Sequence, residues 1–566
     1  MKIKIILVLI LITASIVSCT KLQETVYDTP SVSNSLVTTT DVSLSLNGTY
    51  GLLEHLNMYK KECVKLMELC SDQMSSTTAE FTPFSQKIYE PGNGTISTVY
   101  SYYYNVINNC NFLLTKLPAM GIDSTFKVRA EGEVRFIRAF AYFDMVRLFG
   151  AIPLRTESTD ITKDFYVGRD SVEKIYTLIF SDLRTATQKL LPRTSGVISG
   201  LGLANRGAAY GMLALANLTY GNYLDQKGLA STEAYTNAKG FADSVITSNQ
   251  YTLAANYADL WDVEKEATAY TTEVIFGIRF TRDKNGSSSS AKGSEYAARF
   301  MPPVMQGVTG NIATNGVGSG SYRVQPWFYD YCTSGDFVGD YRSEATFLNI
   351  FPKGGTSTAI YVTYPIIPVT GQSVEVTTAN VVDGRQPYIK KYIDGKGLDA
   401  SNHENDMFIM RLSEVYLIKA EAENELNGPT ADAYTAFNML RARARKANGT
   451  VRTTPADLKT GLSKDQFRTK IFDERGLEFI GECKRWFDMV RMKSPSGTGT
   501  MYQYMFQTYL PTVVPGLPRW NSTSKKWEGG KTENFSIAPY NSKFLLFPIP
   551  QREIDLNSKL TQNPGY

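Results

Sequence analysis

The sequence predicts a mainly α-helical protein built of stacked helix-turn-helix pairs, into which an irregular, loop-rich subdomain containing short β-strands is set. Three observations carry this expectation. Apolar residues recur at spacings of three and four, as in Val134, Ile137, Ala141, Met145 and Leu148, which places them on one face of a helix. Such segments come in neighbouring pairs joined by short connections, the pattern of a repeat array in which each pair buries its apolar face against the next. Between about 250 and 405 the pattern changes to short β-type runs separated by Gly/Ser-rich connections.

Taken in order, residues 1–18 read as an export signal. Lys2 and Lys4 open it, Ile5 to Ile12 form an unbroken apolar run, and Ile16-Val17-Ser18 lead into Cys19, the arrangement of a bacterial lipoprotein signal with a thiol placed for lipidation. The run is about half of the roughly 20 residues that cross a bilayer, and Thr13, Ser15 and Ser18 interrupt its continuation. Acyl chains on Cys19, each stabilising by about 0.8 kcal/mol per buried CH2, would hold the mature chain on a membrane surface outside the cytoplasm. Residues 19–40 form a polar, Ser/Thr-rich tether.

The N-terminal helical region, 41–250, is read as pairs over about 41–118, 127–190 and 204–248. Gly150 and Pro153 end the first helix of the second pair. Its partner carries Val172, Ile175, Ile179, Leu183, Ala186 and Leu190, with Asp170 and Glu173 set as a capping box. The inserted subdomain, 251–405, offers strands at 274–280, 359–364 and 374–378. Its connection over 283–321 is too long and small-residued for an idle linker. In the C-terminal helical region, 406–493, a fourth pair spans 412–447, and a last block opens on a Ser463/Gln466 capping box and runs to about Met492. Residues 494–566 form an irregular tail packed on the body.

Composition narrows the function. A chain 43% hydrophobic and 20% charged has the balance of a soluble globular protein. A net charge of +4, two units of it on Lys2 and Lys4, leaves no electrostatic footprint for nucleic acid. Beyond Cys19, the cysteines Cys63, Cys70, Cys110, Cys332 and Cys483 contain no CxxC and form neither a disulfide framework nor a zinc site. They are expected as buried free thiols. The two histidines, His55 and His403, leave little room for His-based metal or Ser-His-Asp chemistry and are read as packed or solvated. Asp336, Asp340 and Glu344 fit no calcium loop and are read as solvated acids. No metal and no cofactor is called for. The richest resource is aromatic: 34 tyrosines against 5 tryptophans suit contact with polar ligands, although many must be core.

Charged residues in the helical regions read as structural. Arg411 and Glu414, three apart, can pair, whereas Glu474 and Glu478, four apart, repel and want partners such as Arg475 or Arg485. Such arginines hold helices in register as buried or half-buried ion pairs, and Trp486 and Phe487 fill the gaps between them.

As a set, these segments resemble a known family. Arg129-Ala130-Glu131 continuing to Arg135-Phe136-Ile137-Arg138-Ala139, Tyr142-Phe143-Asp144-Met145-Val146 and Phe149-Gly150-Ala151-Ile152-Pro153-Leu154 look like its helix and turn. Asp340-Tyr341-Arg342, Met410 to Ile418 with Ala420-Glu421-Ala422, Glu474-Arg475, Glu478-Phe479 and Arg485-Trp486-Phe487-Asp488 follow in its order. Pro548-Ile549-Pro550 through Gln562-Asn563-Pro564-Gly565-Tyr566 is similar to its close. On these motifs the chain resembles the SusD/RagB family of Bacteroidetes outer-membrane nutrient-binding lipoproteins.

The resemblance implies a body of four tetratricopeptide-like helical pairs and a non-catalytic role at the cell surface of the outer membrane. It implies a SusC-like TonB-dependent transporter as partner and an oligosaccharide or glycan chain as ligand, or a peptide in some members. A periplasm-facing helical scaffold is a further alternative. A two-carboxylate glycoside hydrolase ranks last, since no acid pair stands in a shared motif. Where such sites lie in the family, Asp72 and Gln73 in Glu68-Leu69-Cys70-Ser71-Asp72-Gln73, Tyr100, and Tyr322, Arg323 and Trp327 are the ligand-binding candidates. No tryptophan precedes Trp261, so the early tryptophan platform that some members use is absent, which argues against a starch-like specificity.

Overall fold

A computed structural model describes residues 36–159, 166–198, 202–282, 292–302, 318–352, 361–364, 381–383, 386–397, 400–514, 519–521, 526–528 and 539–566. Cys19, the 374–378 strand and most of the 283–321 connection lie outside the described residues.

The helical body begins with α1 (Thr39–Leu53), opened by a Thr38/Asp41 capping box, then α2 (Glu62–Leu69) and α3 (Gly94–Lys116). Antiparallel pairs follow: α4 (Ser124–Phe149) with α5 (Val172–Lys189), and α6 (Arg206–Gln226) with α7 (Thr232–Thr247). Every residue of α4 from Phe136 to Val146 is buried, so its charged groups must be satisfied internally. Arg138 forks onto Asp182 at 2.7 and 2.9 Å, and Asp144 accepts from the Tyr59 and Tyr103 hydroxyls and from Arg147. At α5 the cap is Ser171, whose side chain accepts from Lys174 N, and not Asp170. Asp170 instead accepts Leu154 N at 3.0 Å, closing the turn that follows α4.

Gly150 ends α4 at φ +72°, and a Cβ there would lie 2.9 Å from Leu546 Cδ1. A helix end leaves carbonyls without partners. Here the tail supplies them: Phe547 N donates to Leu148 O at 2.8 Å and Asn563 Nδ2 to Phe149 O at 2.9 Å.

The loop-rich subdomain leaves and rejoins the body side by side. Its short strands are β1 (Met74–Ser75), contributed from the body, β2 (Val274–Ile278), β3 (Arg323–Val324), β4 (Phe347–Leu348), β5 (Ile350–Pro352), β6 (Tyr361–Thr363), β7 (Val381–Asp383), β8 (Tyr388–Ile389) and β9 (Met407–Arg411). The fully buried β2 and β9 pair antiparallel, Val274 opposite Arg411 and Ile278 opposite Met407, and so close the base of the subdomain. The short helix α8 (Pro326–Cys332) follows β3.

The C-terminal helices are α9 (Leu412–Asn427), α10 (Ala431–Ala444), α11 (Lys464–Glu478) and α12 (Arg485–Arg491). The Ser463/Gln466 capping box is present. The expected single block to Met492 is instead two helices, because Gly481 at φ +81° and Cys483 at φ +60° turn the chain between them. A further segment starts at α13 (Met501–Tyr504), continues as a π-helical turn over Met505–Tyr509, and α14 (Gln551–Leu556) lies near the end. The five cysteines are buried free thiols, and among the described residues no helix is long and apolar enough to cross a membrane.

Body and subdomain meet at a buried ion network. Arg342 pairs with Asp340, Glu474 and Glu478; Arg411 with Glu273, Glu478 and Glu482; Arg443 with Glu273 and Glu478; Arg441 with Glu474; and Lys391 with Glu482, all at 2.5–3.2 Å. Three expectations are corrected here. Arg411 does not pair with Glu414, which bonds Arg475 and Lys484. Glu474 and Glu478 are neutralised by Arg342, Arg441, Arg411 and Arg443, not by Arg475 or Arg485. Asp340, read as solvated, is buried in the network, whereas Asp336 and Glu344 pair at the surface with Lys470 and Arg452.

Candidate functional site

Two short ribbons frame one rim of the subdomain. In the first, β1 and β3 pair Met74 with Val324 and Ser75 with Arg323; in the second, β4 and β8 pair Phe347 with Ile389 and Leu348 with Tyr388. Val324 N donates to Pro387 O at 3.0 Å and joins them. Because side chains alternate across a strand, Met74 and Val324 point into the core while Ser75 and Arg323 remain half-buried on the outer face.

Four of the six sequence-predicted residues, Asp72, Gln73, Tyr322 and Trp327, converge behind this frame with their side chains committed internally, and a fifth, Arg323, lies in the frame itself. Asp72 receives a bidentate fork from Arg485, both bonds 2.9 Å, while its carbonyl accepts Trp327 Nε1 at 2.9 Å. Gln73 is buried, donates to Gly476 O at 3.0 Å, and its carbonyl accepts Gln325 N at 2.8 Å. Tyr322 is 2% exposed, stacked on Phe300 at 4.5 Å and edge-on to Phe81 at 5.5 Å. Trp327 is 4% exposed and packs against Phe328 and Tyr331. Arg323 reaches the outer face, where its Nε donates to Gly320 O at 3.2 Å. Tyr100 lies elsewhere, edge-on to Phe149 at 5.0 Å and bordering a separate cleft of about 330 Å³ beside Ser101, Asn105 and Arg155.

Beside Arg323, the rim holds groups the sequence did not single out: the half-buried Tyr329, Asp330, Asn349 and Tyr364, and the buried Gln386 and Tyr388. Gln386 Nε2 donates to Ser75 Oγ at 2.8 Å, beside the outward-facing Ser75 and Arg323 pair. Tyr388 adjoins Arg323; burial pushes its phenol up, against the opposing pull of that guanidinium. Tyr329 and Tyr364, both half-buried, meet edge to face at 5.6 Å, and the Tyr329 hydroxyl accepts Asn349 Nδ2 at 2.7 Å. Beside them Asp330 is half-buried, and burial pushes its carboxyl up to about 6. Burial, aided by the Asp330 charge, pushes Tyr329 up to about 12.

The signal for these residues was the run Trp327-Phe328-Tyr329-Asp330-Tyr331 on α8. On a helix so short, Trp327, Phe328 and Tyr331 cluster on one side and leave Tyr329 and Asp330 on another. Chemically, half-buried tyrosine faces suit the C–H surfaces of a ring-shaped ligand, and flanking amide, guanidinium and carboxylate groups suit its hydroxyls. Among the described residues no group of three His, Cys, Asp or Glu side chains is placed to hold a metal ion.

Comparison with known proteins places this architecture. A family profile described as starch-binding associating with outer membrane matches residues 29–218. "SusD-like protein P2" of Formosa agariphila is 26% identical over 574 residues, covering 100% of both chains. "Starch-binding protein SusD" of Bacteroides thetaiotaomicron is 24% identical over 531 residues, covering 89% of this chain and 83% of that one. Among solved structures, a SusD homolog from Bacteroides thetaiotaomicron superposes with a TM-score of 0.77 at 21% identity, covering 94% of this chain and 98% of that one. A laminarin-binding SusD-like protein superposes with a TM-score of 0.68 at 22% identity, covering 94% of this chain and 100% of that one. The profile of the SusD family itself matches residues 272–566, which hold β2, β9 and every member of the buried ion network, and with more than half of the sequence so matched the chain belongs to the SusD family.

Proposed function

We propose that this chain is a lipid-anchored glycan-binding protein of the outer membrane, non-catalytic and exposed at the cell surface. On this reading Cys19 carries the anchor, the rim receives an oligosaccharide, and the cargo passes to a SusC-like TonB-dependent transporter. The observation that carries it is the pairing of Tyr329 and Tyr364 at 5.6 Å with Asn349 on the Tyr329 hydroxyl and Asp330 alongside, a ring platform fringed with hydrogen-bonding groups. Names given to relatives, starch-binding and laminarin-binding, support a glycan over a peptide. In this reading Arg323 contacts ligand directly, whereas Asp72, Gln73, Tyr322 and Trp327 act beneath it by fixing β1, β3 and α8.

The test is native affinity electrophoresis of the full chain through gels cast with a panel of polysaccharides, with Tyr329→Ala run beside it. Retardation by one glycan, lost in the variant, is the expected result. Migration unaffected by every glycan, with no barrel protein co-purifying from membranes, refutes the reading.

A further inference from the structure

We propose a second binding site, independent of the rim, for a ligand bearing a primary ammonium group, in the cleft between α8, α11 and the π-helical turn after α13. The cleft holds about 70 Å³ and is walled by Trp327, Tyr331, Phe472, Tyr504 and Tyr509, with Asp473 among them. Tyr331 lies two residues from Tyr329 on α8, about 200° around the helix, so the cleft and the rim occupy different sides of it.

Charge sets Asp473 apart. Nearly every buried or half-buried acid described above has a basic partner; Asp473 has no ion pair among the described residues. Its neighbours are all committed elsewhere. Arg485, lying 3.5 Å over the Phe472 ring, forks onto Asp72. Lys470 pairs with Asp336 at 2.6 Å, and Glu474 is neutralised by Arg342 and Arg441. Asp473 keeps the Tyr331 hydroxyl as a donor, and burial still pushes its carboxyl up to about 6. A desolvated carboxylate without a counter-ion is under-stabilised.

Aromatic rings surround the acid. Trp327 meets Tyr509 at 5.7 Å and Tyr331 at 6.3 Å, and Tyr504 meets Tyr509 at 6.1 Å, so half-buried tyrosines from α8 and the α13 segment converge around the acid. Aromatic faces attract cations most strongly where water is thinned out, and a carboxylate at the same point adds a charge-assisted hydrogen bond. The small volume favours a compact ammonium over a planar guanidinium, and a neutral hydroxyl would leave the Asp473 charge uncompensated. Amino sugars and lysine side chains both offer such a group.

Calorimetric titration of the full chain in detergent tests this, with glucosamine and lysine amide as probes and N-acetylglucosamine and Nε-acetyl-lysine amide as their uncharged counterparts. Saturable binding of an amine near neutral pH is expected, with no binding of its acetylated counterpart. Binding weakens as pH falls through about 6, because protonating Asp473 removes the charge that the cation meets. Asp473→Asn, close in shape, weakens binding about tenfold or more, the equivalent of about 1.4 kcal/mol. Tyr509→Ala, on the half-exposed wall, weakens it as well. Tighter binding of glucosamine points to an amino sugar as the source and of lysine amide to a peptide. Absence of binding by both amines, equal binding of an acetylated probe, or unchanged affinity in both variants overturns the proposal.

Discussion

Replacing Glu478 by Gln removes a buried charge shared by three arginines. Its Oε1 receives Arg411 Nη1 at 2.9 Å and Arg443 Nη2 at 2.5 Å, and its Oε2 receives Arg342 Nη1 at 3.0 Å. Burial opposes the ionised form, but Arg443, Arg411 and Arg342 outweigh it and hold the carboxyl well below the usual carboxylate range. The network is balanced, with Arg342, Arg411, Arg441, Arg443 and Lys391 facing Asp340, Glu273, Glu474, Glu478 and Glu482. Glutamine keeps one acceptor and turns an NH2 donor toward a guanidinium, leaving one cation buried in excess. Losing one partner of a buried pair costs about 3–5 kcal/mol. The expected result is a clear fall in the midpoint of thermal unfolding by calorimetry. Removing a cation as well, in Glu478→Gln/Arg443→Met, restores the charge balance and recovers part of that loss, a non-additivity that only contacting residues show. A single variant within about 0.5 kcal/mol of the parent, or a double variant that loses the full sum, refutes the charge-balance reasoning.

Three further outcomes are expected, two from particular contacts and one from the proposed lipid anchor. Gly150→Ala places a Cβ 2.9 Å from Leu546 Cδ1 at φ +72°, and the strain, about 1–3 kcal/mol, is expected as earlier proteolysis of the tail beyond Leu546; unchanged cleavage refutes it. Burial pushes Glu68 up to about 7, against an opposing hydrogen bond from Cys483 N. The folded chain therefore holds that proton more tightly than the unfolded one, so this contribution to stability is full below about pH 4.3 and is lost as pH rises through about 7. Glu68→Gln flattens the decline of the unfolding midpoint over that window, and an unaltered slope refutes it. Cys19→Ala is expected to move the protein from the membrane to the soluble extracytoplasmic fraction, read by fractionation and immunoblot; retention in the membrane counts against lipid anchoring.

The helical body was legible because its signals are local. The spacing from Val134 to Leu148, the Ser463/Gln466 box and the Gly150 stop each act within a few residues, and each stands in the structure. What sequence reasoning misassigned was decided by distant chain. Arg411 bypasses Glu414 because Glu273, Glu478 and Glu482 are brought closer by β2 and α11. The last helical block breaks at Gly481 and Cys483, both at positive φ, where the Glu68 carboxyl accepts Cys483 N from across the fold, a contact no window of sequence contains. Ser171 displaces Asp170 as a cap because Asp170 is taken by Leu154 N.

The same distinction explains why the family was readable and the ligand was not. The motif residues Asp340, Arg342, Arg411, Glu474 and Glu478 are buried and ion-paired across the junction of body and subdomain, and Arg485 and Asp488 are buried and paired within the body, with Asp72 and Arg475. Their spacing is fixed by helix register and charge pairing, so it records how the subdomain is welded to the body. Asp72 belongs with them: as the partner of Arg485 it serves the weld, although it lies one strand from the rim. Rim groups such as Tyr329, Asn349 and Gln386 bond mainly to each other's neighbours, so their identities can change without disturbing the core beneath. On the proposed reading, fold and ligand are therefore encoded in different residues, a buried ion-paired weld lying under a rim whose side chains can vary.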